Sequence, residues 1–189
     1  MSEKINLAIE QLQKIMDEEG IDPTKGLPKE LFHFATALIP CANIDLFITR
    51  GNQLLLTWRD DEFYGQGWHI PGGCLRMRET LDNRIQETAR NEIGTEVIYD
   101  PNSFFTREVM VTEDRPWLKN QLERSHNISM LFDCRLPDGF KVNNTDADEH
   151  MAGYIKWFDQ VPPDLLEAHK SLYGDIIDLF FKGELKWKT

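Results

Sequence analysis

Between Trp68 and Gly94 the chain reads WHIPGGCLRMRETLDNRIQETARNEIG, a proline and two glycines followed by a charged helix. On a helical wheel Leu81, Ile85 and Ala89 form the apolar stripe, Thr88 lies beside it, Arg84 and Asn91 sit on its shoulder, and Asn83, Glu87 and Arg90 point away. Glu92 falls within the stripe. A carboxylate on a core-facing surface is costly unless a cation or hydrogen-bond donors compensate it. The alternative is that the helix frays before Gly94, a natural C-terminal cap, and Glu92 reaches water. The turn at Pro71 to Gly73 exposes backbone carbonyls, and a hard divalent cation binds carbonyl and carboxylate oxygens. Magnesium, or manganese in its place, could therefore be shared by Gly72 and Glu92.

Other residues of suitable chemistry lie on either side of this stretch. Asp45 interrupts the apolar run NIDLFI and needs a donor, which a sugar hydroxyl, a nucleobase edge or Arg59 could supply. Arg84 is either a surface partner of Asp82 and Glu87 or a guanidinium for phosphate oxygens. His126 either faces the site as a substrate contact or ends a loop. Trp68, Phe105 and Trp117 could stack on a base, although core packing is the commoner use of an aromatic. The acidic loop NNTDADEH gathers Asp146, Asp148, Glu149 and His150, a pattern that is usually a solvated surface.

The elements that must hold these groups follow from periodicity. Residues 3 to 19 repeat apolar positions at helical spacing and stop at Gly20, and PKELFHFATALI carries a second short helix with Pro28 at its start. These two helices make an N-terminal helical extension, residues 1–38, ahead of a domain spanning 39–189. Their apolar residues suit packing on the domain or contact in a homodimer. From Ala42 the period becomes that of strands: ANIDLFIT and QLLLTWR form a hairpin, and TEVIYD, FFTREVMVTE, NISMLFDCRL and YIKWFD follow as separate strands. DLLEAHKSLYGDIIDLFFKG closes the chain as an amphipathic helix. The loop TEDRPWLKNQLERSH is long enough to form a binding surface. The expected fold class is α/β, of the α+β kind with a mixed sheet.

Composition narrows the function. A chain of 189 residues with a net charge of -11 is one enzyme-sized domain and repels nucleic acid and anionic membrane. Its three cysteines lack any Cys-x-x-Cys pairing and suit a reducing, cytoplasmic setting. No signal peptide or membrane span is read from the sequence.

Gly73, Glu79, Ala89, Glu92 and Gly94 fall in the register of the signature of the Nudix hydrolases, and from about residue 40 to 160 the chain resembles that family. The resemblance implies a mixed sheet sandwiched between helices and magnesium-dependent hydrolysis of a small nucleoside diphosphate derivative. Departures are specific: Glu87 stands in place of the family's arginine, and Thr88 and Asn91 in place of two of its glutamates. A reduced signature, with Asp45, Arg59 and GQGWHIPGG, is most similar to the GDP-mannose mannosyl hydrolase branch. That likeness implies one magnesium, a nucleotide sugar and attack at the anomeric carbon. It implies metal ligands at Gly72, Glu92 and Glu149 and His150 as general base; the residues themselves add Arg59 and Arg84 as candidate catalytic arginines and Asp45, Arg59, Arg76 and His126 as candidate substrate contacts. Cys74 occupies the position of an arginine in that branch, for which Arg76, Arg78 or Arg84 could substitute. The alternatives are a pyrophosphatase acting on ADP-ribose, dinucleotides or nucleoside triphosphates, and a domain that binds nucleotide without turnover.

Overall fold

The structure is a computed structural model and describes residues 2–114, 120–144 and 148–187. Two N-terminal helices, α1 (Glu3–Glu18) and α2 (Lys29–Thr36), precede the sheet strands β1 (Cys41–Arg50), β2 (Gln53–Asp61), β3 (Gly65–His69) and β4 (Gly72–Cys74). Helix α3 (Leu81–Glu92), strands β5 (Ile98–Met110), β6 (His126–Arg135) and β7 (Ile155–Phe158), and helix α4 (Glu167–Phe181) complete the order. Three strands differ from expectation. TEVIYD and FFTREVMVTE belong to one long strand, β5, which absorbs the break as an irregularity between Tyr99 and Phe104. The stretch GQGWHIPGG, read above only as a turn, carries β3 and β4, short strands whose glycines hide their alternation.

Strands β1 and β2 pair only at their hairpin, Thr49 opposite Leu54 and Arg50 opposite Gln53, and then part. Beyond it β1 lies between β4 and the parallel β6, with β5 outside, whereas β2 pairs with β3 and β7. The parting opens a cleft on one side of the sheet. Alternation along the strands then makes two cores. Ile44, Leu46, Ile48, Leu55 and Phe132 meet Ile85, Ala89 and Ile93 from the α3 side. Phe47, Leu54, Leu56, Trp58, Trp68 and Leu131 meet Tyr173, Ile176 and Ile177 of α4 on the other. This is a mixed sheet between helices, as expected.

Helix α3 starts where Thr80 accepts a hydrogen bond from the Asn83 N–H at 3.2 Å, and ends where the Gly94 N–H, at φ 86°, donates to Ala89 and Arg90 carbonyls. Its buried face is rotated from the expected stripe: Leu81 is 40% exposed, while Arg84 and Thr88 are buried with Ile85 and Ala89. No residue of α1 is buried, and α2 buries only Thr36. Among the described residues no helix is long and apolar enough to cross a membrane.

Candidate active site

The helix does not fray at Glu92. Its carboxylate accepts from the Thr57 hydroxyl at 3.2 Å and lies 3.4 Å from His69 Nε2, with the side chain 25% exposed. Thr57 and His69 are cross-strand partners on β2 and β3, so the sheet aims both at the end of α3. Burial pushes the Glu92 pKa up, yet His69, Arg59 and Thr57 outweigh it and hold the carboxyl below its ordinary value. His69 is lowered, burial first, against the pull of Glu92. Its Nδ1 lies 2.8 Å from the Thr57 carbonyl, which orients the ring with Nε2 toward the carboxylate.

On the α4 side of β1 a cleft with an empty volume of about 650 Å³, its open mouth included, is lined by Asn43, Asp45, Arg59, Gly72, Ser129 and His169 among others. Asp45 is buried and pushed up to about 6 by desolvation, which its partners only partly offset. Those partners are Tyr173, whose hydroxyl donates to Oδ2, Asn43, whose Nδ2 donates to Oδ1 at 2.7 Å, and the Ser129 side chain. Arg59 acts on Asp45 through its charge rather than through a hydrogen bond. Gly72 lies across the ladder from Asp45, and any Cβ there would collide with Asp45 Oδ1. The glycine is thus required by close approach.

Arg59 connects the two places, because its charge acts on Asp45 in the cleft and on His69 and Glu92 at the end of α3. His169 connects them physically. Its ring centroid is 5.6 Å from that of His69, and its Nδ1 accepts from the Ile70 N–H at 3.3 Å, so the neutral ring carries its proton on Nε2. Burial, with the charges of His69 and Arg59, holds its pKa well below the usual histidine range. His169 was not singled out in the sequence because its helix reads as ordinary amphipathic packing. Tyr173, Asn43 and Ser129 were missed for the same reason.

Several expected members lie elsewhere. Glu149 is ion-paired with Lys156, and the His150 ring packs edge-on against Trp58 with centroids 4.5 Å apart. Trp58 is in the α4-side core and Lys156 pairs with Leu56 of that core, whereas Thr57, which touches Glu92, faces the opposite way. The structure therefore does not bring Glu149 and His150 to Glu92. Asp146 and Trp117 lie outside the described residues. His126 pairs with Glu108 at 3.0 Å and, like the exposed Ile128, points away from the cleft that its neighbours Asn127 and Ser129 line. Arg76 borders a separate hollow beside α2. Arg84 is neither at the surface nor in the cleft: it is buried, 3.7 Å from Glu79, and donates to the Cys74 carbonyl at 3.3 Å, bracing the turn before α3. Trp68 is a core residue, and Phe105 packs on Trp187.

The donor set limits what metal can be held. Among the described residues no group of three or more histidine, cysteine or acidic side chains could hold an ion. Glu92 is a sparse oxygen donor, suited to a hard cation that keeps waters and takes its other ligands from phosphate oxygens, while Gly72 lies against Asp45. The chain's own residues fit magnesium in that form only.

Known proteins resemble this chain in sequence and in fold. Residues 40–178 match the family model described as NUDIX domain. The low-salt glycan biosynthesis protein Agl8 of Haloferax volcanii is 24% identical over 156 residues, covering 82% of this chain and 94% of that one. A structure described as a possible asymmetric diadenosine tetraphosphate hydrolase from Jonesia denitrificans superposes with a TM-score of 0.55 at 15% identity, over 79% of this chain and 98% of that chain. A MutT protein from Methanosarcina mazei gives 0.49 at 17% identity, over 78% and 97%.

Proposed function

The chain belongs to the NUDIX domain family of hydrolases, and from that premise we propose that it hydrolyses a nucleoside diphosphate sugar, releasing nucleoside diphosphate and free sugar. The observation that carries this reading is that the end of α3 offers one carboxylate, Glu92, with Thr88 and Asn91 as its uncharged neighbours, while Asp82 and Glu87 of the same helix bond Tyr99 and Arg90 instead. Attack on phosphorus develops charge on phosphoryl oxygens that several metal ions usually share, whereas departure of a whole diphosphate from an anomeric carbon needs fewer. The relative named for glycan biosynthesis supports a sugar-bearing substrate.

In this reading a divalent cation, when bound, supplies charge for the departing diphosphate. Glu92 stays ionised because Arg59, Thr57 and His69 favour its charged form. Arg59, with a planar guanidinium at the cleft, takes the diphosphate oxygens. Asp45 accepts a substrate hydroxyl, its carboxyl oriented by Tyr173 and Asn43. His169 offers its Nε2 proton to a cleft-bound oxygen. Water adds to the anomeric carbon, the bond from that carbon to the diphosphate oxygen breaks, and the proton of the water is released.

Hydrolysis of GDP-mannose and related nucleotide sugars in oxygen-18 water tests the bond that breaks. The label is expected in the free sugar, with unlabelled nucleoside diphosphate. Label in a nucleoside monophosphate or a sugar phosphate would establish phosphorus attack and an ordinary pyrophosphatase instead.

A further inference from the structure

Arg124 lines the same cleft as Arg59 and is held there with unusual care for a residue near the end of a loop. Its backbone is left-handed, at φ 50°, a conformation that costs a non-glycine residue of the order of 1 kcal/mol or more. Three side chains from separate parts of the chain hold it. The Thr36 hydroxyl, at the end of α2, accepts from the Arg124 N–H at 3.3 Å. The Tyr64 hydroxyl donates to the Arg124 carbonyl at 3.1 Å, and Asn127 Nδ2 donates to the same oxygen at 3.4 Å.

The guanidinium is aimed as firmly as the backbone. It lies over the rings of Phe63, Tyr64 and Phe32, at 5.0, 5.1 and 5.9 Å, so α2 supplies part of its seat. Its Nη1 is 3.5 Å from Asp61 Oδ2, the same oxygen that lies 3.9 Å from Arg59 Nη1. One carboxylate therefore serves two guanidinium groups, so neither is fully neutralised by it. Arg124 Nε is buried and has no hydrogen-bond partner among the described residues. A buried donor left unmet beside a cleft is a position where a ligand atom restores the lost hydrogen bond.

We propose that Arg124 is a second phosphate-binding arginine of the cleft, and that the N-terminal extension exists in part to position it through Thr36 and Phe32. This rests on the reading of the cleft as a diphosphate site. Arg59 and Arg124, bridged by Asp61, present two fork-shaped donors to a ligand carrying two adjacent phosphoryl groups, and planar guanidinium donors match such oxygens pairwise. Thr36 is a positioning residue, since it acts on the ligand only through the backbone of Arg124.

The test is calorimetric binding of inorganic pyrophosphate with magnesium, and separately of guanosine and adenosine, to the full chain. Wild type should bind pyrophosphate, and Arg124→Ala should weaken it about 10- to 100-fold, the range of a lost charge-assisted hydrogen bond. Arg124→Lys, which keeps the charge without the fork and guards against misfolding of the alanine variant, should fall between the two. Thr36→Val should weaken pyrophosphate binding about three- to tenfold while leaving nucleoside binding unchanged, and Thr36→Ser should restore it. If Arg59→Ala weakens pyrophosphate binding but Arg124→Ala and Arg124→Lys stay within about twofold of wild type, the role given to Arg124 is overturned while the diphosphate cleft stands. Failure of the wild-type protein to bind pyrophosphate at all would remove the diphosphate reading and this inference with it.

Discussion

Glu92 and Glu149 are both carboxylates that sequence pattern recommends as ligands for a hard cation, and their surroundings differ in kind. Glu149 lies on a loop, half-exposed, with its charge already met by Lys156. Glu92 is at the end of a helix, faces a hydroxyl and a histidine whose own charge burial disfavours, and is kept ionised by a field to which the cleft arginine contributes. A carboxylate neutralised by lysine has little left to offer a metal ion. One held as an anion by a histidine, a hydroxyl and the field of an arginine that forms no ion pair with it retains its appetite for a cation.

The largest expected effect breaks the comparison at its stronger end. Glu92→Gln keeps the volume and the hydrogen bond from Thr57 but removes the charge, and kcat should fall by about 10²–10³-fold, the range seen when one electrostatic stabiliser of a reaction is lost. The fold should be intact by circular dichroism. Wild-type turnover in this variant, measured at saturating magnesium, would show that the end of α3 is a structural buttress.

Next in size is the support of the cleft wall. Tyr173→Phe removes the hydroxyl that donates to buried Asp45, leaving that carboxylate with Asn43 and Ser129 as side-chain partners. A buried acceptor left short of a donor costs about 1–3 kcal/mol. Urea unfolding should show that loss with an unchanged slope, and a loss below experimental error would mean that Asp45 is protonated and satisfied without the tyrosine.

How far these sites could be read in advance depended on whether the signal was local. The hairpin, α3, β6, β7 and α4 were legible because each carries its own period and its own stop. Glu92 was legible because a charge on an apolar stripe violates that period. Strands β3 and β4 were not, since Gly65, Gly67, Gly72 and Gly73 leave almost no alternation to see. Arg124, His169 and Tyr173 are ordinary residues in ordinary segments, and only the parallel pairing of β6 with β1 and the docking of α4 bring them to the cleft that holds Asp45. For His150 and Glu149 the residue types suited the chemistry, but the parity of two strands, which no local pattern reports, turned their partners Trp58 and Lys156 to the other face.

A smaller effect sharpens the contrast through pH. His69 and His169 are both held below the ordinary histidine value, about 6.5 in an unfolded chain. Between the lowered folded values and 6.5 the unfolded chain binds more protons, so their contribution is complete above about pH 6.5 and is lost as pH falls below it. Asp45, raised to about 6, works the other way: its contribution is present at low pH and is lost as pH rises through 6. The histidine part can be isolated by difference. His169→Gln, which can still accept from the Ile70 N–H, should lose less melting temperature than wild type between pH 7 and 5.5. Parallel melting curves for the two proteins would mean that His169 is protonated in the folded state and that its burial is offset by a partner.

The smallest expected effect concerns the weaker end of the comparison. The His150 side chain is 62% exposed and 3.9 Å from Asp148, and its main contact is the edge-on meeting with Trp58. Glu149 makes a half-exposed pair with Lys156, and exposed pairs contribute about 0–1 kcal/mol. His150→Ala and Glu149→Gln should therefore each change kcat/KM by less than about fivefold, the equivalent of roughly 1 kcal/mol. A general base contributes about 10²–10⁴ in rate, so the two outcomes do not overlap. A loss of a hundredfold or more in His150→Ala, with KM unchanged, would mean that substrate draws this loop across β2 and that the ring leaves Trp58 during the reaction. The difference between the two carboxylates would then belong to the resting protein, and the working site would contain both.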